Sequence, residues 1–492
     1  MSADWTYMTA TQLLRQLKTG EISSRALLEH YIARLEEKNK AINAVVEMDY
    51  AAARQLADEA DAKAAEGISL GLLHGLPMTV KDTYEVPGMT CVAGAPEYRY
   101  HRPRQSAVAV QRLQDAGAII FGKTNVPYLA SDLQSFNKVY GTTNNPWNTG
   151  LTPGGSSGGS AAALAAGITP AELGSDLAGS IRTPCHYCGV YGHKPTPGII
   201  SLRGHIPGPP GTLREPTSMA VAGPMARSAQ DLQLLMDVLV APPPLLAAGW
   251  KIDLPNCSKH SLADFKVLLW IDDDLCPIDP QLQYLYLEVA DKLKTAGATV
   301  ERGQPAGFCL EDIYPYYISQ LGAVAGVAQP AVVRRGMALL GWFARLLENV
   351  IQVPKHFSRF LKGLDMSFAD YQRRDERVQH IRQKFLTVFD EYDLVLMPPT
   401  PTTAHPHEQL ANLAKRKIPI GHEQRSYMDL FMWVAPVSLL GLPATSAPVG
   451  MTASNLPANL QIVAAPFQDK MALRFADLMA GSFGGFQPPP GY

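Results

Sequence analysis

Two serines in glycine-rich surroundings and one lysine carry the chemistry that this sequence could perform. Ser156 lies in a glycine–serine run, and Ser180 ends a second small-residue segment at a Gly-Ser step. Glycine lets backbone N–H groups and hydroxyls approach a ligand closely. Lys81 follows the apolar, strand-like segment 77–80, and burial there would lower its pKa from the free value of about 10.4. A nucleophilic serine, a bridging serine and an uncharged lysine can together cleave an amide by acyl transfer.

The glycine–serine run also matches two simpler patterns. Residues 154–158 read G-x-S-x-G, the nucleophile elbow of α/β hydrolases, but that elbow follows a buried strand. Here the preceding residues 148–153 predict a loop. Gly/Ser composition is typical of flexible linkers, but this run leads directly into a compact, helix-like segment at 161–167. The serine–serine–lysine chemistry therefore fits the region better than either alternative.

Three further motifs resemble cofactor or metal sites. Residues 117–124 match the phosphate-binding pattern G-x-x-x-x-G-K-[ST], but the residues between the glycines predict a strand rather than a phosphate cradle. Residues 135–138 fit S-x-x-K, without the Lys-Thr-Gly that should follow it. Cys185 and Cys188 could form half of a zinc site, but no second closely spaced pair completes it. We therefore expect no metal and no cofactor.

Six motifs occur in order along the chain: GLPMTVKD, GKTNVP, NNPWN, GGSSGGSAAALAAG, GSDLAGSIRTP and CGVYGHKPTPG. This set closely resembles the amidase signature family, which includes fatty acid amide hydrolases, the nylon-oligomer cyclic dimer hydrolase and the glutamyl-tRNA amidotransferase A subunit. The resemblance extends from about Thr9 to about Asp469, which is nearly the whole chain. It implies an enzyme that hydrolyses amide bonds.

The resemblance also implies a role for each residue of the proposed triad. Ser180 matches the nucleophile that accepts the acyl group. Ser156 matches the bridging serine, which the family holds through a cis peptide bond. Lys81 matches the base, which takes the proton of the nucleophile through the bridging serine.

The resemblance extends to the groups that would bind the substrate. The position of Ala130 lines the acyl pocket in the fatty acid amide hydrolases. The oxyanion hole matches the backbone N–H groups of Leu177, Ala178, Gly179 and Ser180. Many family members have two glycines before the nucleophile, whereas this chain has Ala178 and Gly179. A positive φ is costly for alanine, but alanine still supplies an N–H, so we interpret this departure as tuning of the hole rather than its loss.

Alternating strand and helix patterns predict an α/β fold. With the resemblance, they predict the amidase-signature fold, in which helices cover both faces of a central, mixed, twisted β-sheet. We expect residues 1–492 to form a single domain, with an N-terminal helical scaffold at 1–66 and the signature core at 67–240. Residues 310–370 predict a helical cap insertion over the substrate entrance. Helices packed on the core, or a surface that touches membranes, are the alternatives for that insertion.

Composition limits the classes of partner. The chain has 492 residues, of which 46% are hydrophobic, and a net charge of −2. This charge gives no reason to expect nucleic acid or an anionic membrane as a partner. No apolar run approaches the roughly 18 residues of a membrane span. The six cysteines are scattered, which predicts reduced thiols and a cytoplasmic location.

These observations predict a serine hydrolase that cleaves carboxylic amide bonds, with anilides, carbamates and esters as further substrates. The expected partners are a small-molecule amide or ester, no nucleic acid, and a second copy in a homodimer. The alternative is the A-type subunit of a glutamine-dependent tRNA amidotransferase, which needs partner subunits, ATP and glutamine. A binding protein without activity is a third hypothesis, and the intact Lys81, Ser156 and Ser180 argue against it.

Overall fold

The computed structural model describes residues 5–213, 215, 218–347 and 354–492. Strands and helices alternate through these residues. The strands are β1 (Val45–Met48), β2 (Pro77–Lys81), β3 (Ile119–Thr124), β4 (Phe136–Asn137), β5 (Gly141–Thr142), β6 (Ala171–Asp176), β7 (Tyr191–Lys194), β8 (Val221–Ala226), β9 (Lys266–Leu269), β10 (Thr299–Arg302), β11 (Leu394–Met397), β12 (Lys417–Ile420), β13 (Glu423–Ser426), β14 (Ala444–Met451) and β15 (Pro457–Val463).

Most of the helices are longer than the strands, and helices separate most of the strands. The α-helices are α1 (Ala10–Thr19), α2 (Ser24–Ile42), α3 (Tyr50–Ala65), α4 (Val108–Asp115), α5 (Gly158–Ala165), α6 (Arg182–Cys188), α7 (Ala229–Leu239), α8 (Pro280–Thr295), α9 (Leu310–Gly326), α10 (Ala331–Leu347), α11 (Phe357–Gly363), α12 (Phe368–Leu386), α13 (Ala435–Leu439) and α14 (Asp469–Phe483). Short 3-10 helices include Tyr128–Ala130 and Tyr427–Phe431.

One mixed sheet of eleven strands organises the described part of the chain, in the order β1-β3-β2-β6-β8-β7-β14-β15-β11-β9-β10. Strand β2 is parallel to both β3 and β6, and β9 is parallel to β10 and β11. The pairs that join these groups through β8, β7, β14 and β15 are antiparallel. Helices flank the sheet. The predicted α/β class and the mixed sheet covered by helices are therefore confirmed.

The N-terminal helices begin and end where the sequence predicts. Thr9 caps α1 through a reciprocal pair of hydrogen bonds with Gln12, and the helix stops at Gly20 with a φ of 74°. Ser23 caps α2. Strand β1, between α2 and α3, was not predicted, and it pairs antiparallel with β3 at the edge of the sheet. The scaffold at 1–66 therefore also contributes a strand; residues 1–4 lie outside the described residues.

The centre of the sheet positions the lysine and the nucleophile loop. Every residue of β2 and β6 is buried, and Thr79 lies opposite Glu172 in the parallel pairing. Because parallel strands run in the same direction, their carboxyl ends meet at one edge. Strand β2 ends there with Lys81, and β6 ends with Asp176. The loop that contains Ser180 follows β6 and leads into α6.

The segment predicted to be a cap forms α9, α10 and α11 and the beginning of α12, between β10 and β11. Residues 348–353 of this segment lie outside the described residues. That the segment covers the substrate entrance, and that the chain is a single domain, stay predictions. Residues 119–124 of the phosphate-loop-like motif form the buried strand β3. In the described ranges, no helix is both long and apolar enough to cross a membrane.

Candidate active site

Lys81 stands at the end of β2 with its side chain fully buried. Its Nζ lies 2.7 Å from Ser156 Oγ, 2.9 Å from Ser175 Oγ and 3.3 Å from the Ser175 carbonyl oxygen. Burial lowers the pKa of Lys81 to about 7, against the opposing influence of the Asp176 and Glu172 carboxyl groups. An uncharged amine is therefore available near neutral pH, at hydrogen-bonding distance from the predicted bridging serine.

Ser156 lies just before α5 and is almost fully buried. The peptide bond between Gly155 and Ser156 is cis, as the family resemblance implies. Close packing explains the glycine at 155, because a Cβ there would lie 2.6 Å from the backbone nitrogen of Gln134. The hydroxyl of Ser135 also donates to the Ser156 carbonyl oxygen at 3.4 Å. The segment that contains the bridging serine is therefore packed closely against residues 132–135.

Ser180 lies in the loop between β6 and α6, with 7% of its surface exposed. Its carbonyl oxygen accepts a hydrogen bond from the Ser157 backbone N–H at 3.1 Å, which joins the two serine segments. Within the described residues, the Ser180 hydroxyl makes no hydrogen bond. The structure thus joins Lys81 to Ser156 directly, and the link from Ser156 to Ser180 stays a prediction.

A buried ion pair holds the nucleophile loop, and sequence reasoning assigned it no role. Asp176 pairs with Arg182 at 2.9 Å, and both side chains are fully buried. The same carboxylate accepts the backbone N–H groups of Gly179 at 2.9 Å and Ile181 at 3.1 Å. Burial alone would raise the pKa of Asp176, but Arg182 holds it well below its usual range. The motif GSDLAGSIR contains both partners, and its spacing across the loop was the available signal.

Asp176 occupies one of the four backbone amides that the oxyanion hole was predicted to use. Because the Gly179 amide donates to Asp176, the predicted hole depends mainly on the amides of Leu177, Ala178 and Ser180. The positive φ in this loop falls on Gly179, at 96°, and not on Ala178. The alanine that departs from the family pattern therefore carries no backbone strain of the kind expected for it.

Ala130 ends the 3-10 helix Tyr128–Ala130 and is partly exposed. Its φ is 53°, and its N–H donates to the Pro127 carbonyl oxygen at 2.9 Å. Two residues further on, the carbonyl oxygen of Asp132 lies close to Gly155, only 2.8 Å from where a Cβ would stand. Ala130 therefore lies a short distance along the chain from the bridging-serine segment. Its place in an acyl pocket stays a prediction.

Sequence reasoning missed two further side chains beside the lysine. Ser175 Oγ contacts Lys81 Nζ, and His205 Nε2 lies 2.9 Å from the same hydroxyl. Burial, together with the charge of Lys81, lowers the pKa of His205 well below its ordinary value. His205 belongs to a proline- and glycine-rich segment that has no periodicity. Nothing in the sequence pattern therefore pointed to this contact.

Glu172 lies on β6, the strand next to that of Lys81, and is fully buried. Thr79 donates to one of its carboxyl oxygens, and the hydroxyls of Ser160 and Thr124 also lie close enough to favour its charged form. Burial raises the pKa of Glu172 to about 8. The carboxyl group is therefore largely protonated near neutral pH, which limits its power to hold Lys81 in the charged form.

Cys185 and Cys188, whose spacing could suit half of a zinc site, are buried free thiols on α6. Burial raises the pKa of both thiols, which disfavours the thiolate that binds metals. In the part of the chain that the structure describes, no group of three or more His, Cys, Asp and Glu residues is arranged to hold a metal ion.

A buried lysine that contacts a serine beside a mixed sheet is the arrangement that the family resemblance implies, and comparison with known proteins identifies the family. The family model described as Amidase matches residues 26–473. The chain therefore belongs to the amidase family, and it is an enzyme that acts on carbon–nitrogen bonds.

Three relatives show what the chain is similar to. The A subunit of the glutamyl-tRNA(Gln) amidotransferase of Synechococcus sp. (strain CC9605) is 32% identical over 489 residues, which cover 95% of each chain. A structure of 6-aminohexanoate cyclic dimer hydrolase complexed with substrate is 26% identical, with a TM-score of 0.78 and 98% of each chain covered. A bacterial aryl acylamidase shares the fold, with a TM-score of 0.80 at 22% identity, over 97% of this chain and 96% of that one.

The curated relatives correct the expected partners. Sequence reasoning predicted a small-molecule substrate, no nucleic acid and a homodimer. The relative at 32% identity, and further relatives from other bacteria at 28–31%, are subunits of a glutamyl-tRNA(Gln) amidotransferase. The prediction of partners was therefore wrong. It relied on a net charge near zero, and net charge averages over a whole surface, so it does not exclude an assembly that acts on tRNA.

Proposed function

We propose that the chain is the amide-hydrolysing A-type subunit of a glutamine-dependent tRNA amidotransferase, acting through an acyl-enzyme on Ser180. The observation that supports the chemistry is the 2.7 Å contact between Lys81 Nζ and Ser156 Oγ in a fully buried setting. The assembly is supported by the 32% identity to such a subunit over 95% of both chains. This function requires glutamine, partner subunits and ATP.

The reaction begins with the transfer of two protons. Ser180 gives its hydroxyl proton to Ser156 as Ser156 gives its own to the uncharged Lys81, and the Ser180 oxygen attacks the amide carbon. The carbonyl oxygen gains negative charge, which the free loop amides stabilise. Each such donor is typically worth ~2.7–4 kcal/mol in the transition state.

The second half of the reaction returns the protons. The carbon–nitrogen bond breaks as the Lys81 ammonium sends a proton through Ser156 to the leaving nitrogen, so that glutamine releases ammonia. Water then attacks the acyl ester on Ser180 and gives a proton to the same relay. Glutamate leaves, and the serine hydroxyl and the uncharged lysine are restored. No metal or redox step is required by this balance.

The cellular setting follows from the same function. An enzyme that acts on tRNA works in a compartment that contains tRNA, and we expect this to be the cytoplasm. All six cysteines are free thiols, which fits a reducing compartment. Both points are expectations of the proposed role.

The test compares the tagged chain purified alone with the chain purified together with the subunits that bind to it. Glutamate release from glutamine is measured in each sample, with and without ATP and glutamylated tRNA. We expect glutamine hydrolysis that depends on Ser180 and rises with the partners and tRNA. Ser180→Ala should be inactive, and Ser454→Ala, which changes an exposed serine, should behave as the wild type. Rapid hydrolysis of anilides by the chain alone, with no glutamine hydrolysis in any sample, would overturn the role.

A further inference from the structure

Lys81 has a second set of contacts besides Ser156. Its Nζ lies 2.9 Å from Ser175 Oγ and 3.3 Å from the Ser175 carbonyl oxygen. Ser175 Oγ in turn lies 2.9 Å from His205 Nε2. Four polar atoms therefore form one continuous chain: His205 Nε2, Ser175 Oγ, Lys81 Nζ and Ser156 Oγ. We refer to it as the histidine–lysine chain.

The protons on this chain can be counted. An uncharged amine has two N–H groups and one lone pair, and its lone pair must face Ser156 if Lys81 is to act as a base. The Ser175 carbonyl oxygen can only accept, so it takes one N–H. The second N–H must then go to the Ser175 hydroxyl. If the Ser175 hydroxyl donated to Lys81 instead, it would occupy the lone pair and Ser156 could not be deprotonated.

The direction of the Ser175 hydroxyl depends on its other neighbour. We propose that His205 is a positioning residue, whose unprotonated Nε2 accepts the Ser175 hydroxyl proton and so directs the lone pair of Lys81 toward Ser156. Ser175 then accepts from Lys81, and every hydrogen bond along the chain points the same way. This inference rests on the proposed function, since it concerns the base of the Ser180 relay.

The surroundings of His205 hold its ring in place beside Ser175. Its ring packs edge-to-face on Tyr84, with ring centroids 4.8 Å apart. The Tyr84 hydroxyl donates to the Gly174 carbonyl oxygen at 2.7 Å, so it does not compete for Ser175. The backbone is held next to β2, because the N–H of Ile206 donates to the Thr83 carbonyl oxygen at 2.8 Å.

The charged neighbours agree with this arrangement. Burial disfavours a proton on His205, and Lys81 on β2 adds to this whenever it is itself protonated. On β6, the carboxyl groups of Glu172 and Asp176 act on Lys81. Glu85, just after β2, is engaged by His101 at 2.7 Å and by the Gly211 N–H at 2.9 Å. An uncharged His205 is thus expected at the working pH.

The test measures how fast a fluorophosphonate probe labels Ser180, which requires no knowledge of the substrate. His205→Phe keeps a ring against Tyr84 but has no acceptor, whereas the side-chain oxygen of His205→Gln can accept the Ser175 proton. His101→Leu is the matched control, because it removes a histidine that contacts Glu85. Rates are measured between pH 6 and 10, and thermal unfolding is recorded for each variant.

Loss of a general base typically lowers the reaction rate by ~10²–10⁴-fold. Misdirection of the Lys81 lone pair should lower the rate by a smaller factor. We expect His205→Phe to slow labelling by ~10–100-fold, His205→Gln to stay within ~3-fold of wild type, and His101→Leu to match wild type. Wild-type labelling in His205→Phe overturns the inference. Equal losses in the Phe and Gln variants, or in His101→Leu, also overturn it, because they indicate packing alone.

Two further results keep the inference separate from the proposed function. If His205→Phe does not fold, His205→Leu takes its place, with the same expected loss and the same overturning result. If wild-type Ser180 is not labelled at all, the proposed nucleophile is wrong, and the inference falls with it. If wild-type Ser180 is labelled and the His205 variants label equally fast, the inference fails by itself.

Discussion

The residues around the lysine and the helices of the predicted cap differ in how far their side chains are buried and how many partners hold them. In the catalytic cluster, which we define as Lys81, Ser156, Ser175, Asp176, Ser180 and Arg182, each ionisable group is fully buried and contacts named partners. Helices α9 to α12 contain the predicted cap at 310–370 and continue beyond it, and we refer to them as the cap helices. The side chains of α10 include large apolar groups that face solvent. They include Val332, Val333, Leu339, Leu340, Trp342 and Phe343.

The same contrast holds for the arginines. Arg182 is buried against Asp176 and also donates to Ser438 Oγ at 2.8 Å. In the cap helices, Arg359 and Arg374 line an open cavity of about 510 Å³. Among the described residues, neither makes an ion pair within 4.0 Å. The comparison indicates that the cluster is organised before substrate arrives, whereas these two arginines on the cap helices are not fixed by ion pairs.

The largest expected effect is the loss of the nucleophile. Ser180→Ala should lower amide hydrolysis by ~10⁴-fold or more, because no other group in the cluster can form the acyl-enzyme. Lys81→Ala and Ser156→Ala should each lose orders of magnitude by breaking the relay. Covalent labelling by a fluorophosphonate, located by mass spectrometry, checks the assignment. Wild-type rates in Ser180→Ala would show that the reaction does not take place at the catalytic cluster.

The next effect is a dependence of the rate on pH. The base must be uncharged, and burial lowers the pKa of Lys81 to about 7. The rate should therefore rise with pH by about tenfold per unit below pH 7 and level off above it. The rate of Ser180 labelling between pH 5 and 9 measures this, with thermal unfolding at each pH as the control for folding. A level rate down to pH 5 would contradict an uncharged lysine as the base.

Loss of the buried ion pair should lower the free energy of unfolding, and not only the rate of turnover. Arg182→Leu leaves the Asp176 carboxylate buried without its partner, and breaking a buried pair typically costs ~3–5 kcal/mol. Arg373→Leu is the matched control in the cap, because its pair with Asp370 is largely exposed. That change should cost less than ~1 kcal/mol. Urea unfolding of both variants tests the contrast, and equal losses would show that burial does not distinguish the two regions.

The sequence predicted the parts of the site that lie inside ordered motifs. Lys81 and Ser156 were predicted from a strand that ends in a lysine and from a glycine–serine run, and the structure places their side chains 2.7 Å apart. The mixed sheet also followed from alternating patterns. These features are local, because each depends on a short segment whose composition restricts its backbone.

The parts that the sequence did not reveal depend on contacts between distant segments. His205 lies in a proline- and glycine-rich loop and reaches Ser175 only because that loop packs beside β2. The Gly179 amide was predicted to serve an oxyanion, and its bond to Asp176 depends on the turn of the folded loop. Strand β1 was missed because four residues are too few to show a period. Such contacts follow from tertiary packing and leave no pattern along the chain.

The smallest expected effect comes from the cap surface. Leu339 is 62% exposed and Phe343 is 63% exposed, so neither side chain buries much apolar surface when the chain folds. Leu339→Ser and Phe343→Ser should each change the free energy of unfolding by less than ~0.5 kcal/mol, and Ser180 labelling should stay at the wild-type rate. By contrast, Leu173→Ser, a change at a fully buried position of β6, should destabilise the fold by several-fold more. If the cap variants unfolded as easily as Leu173→Ser, α10 would be part of the core, and the division between a fixed cluster and an open surface would not hold.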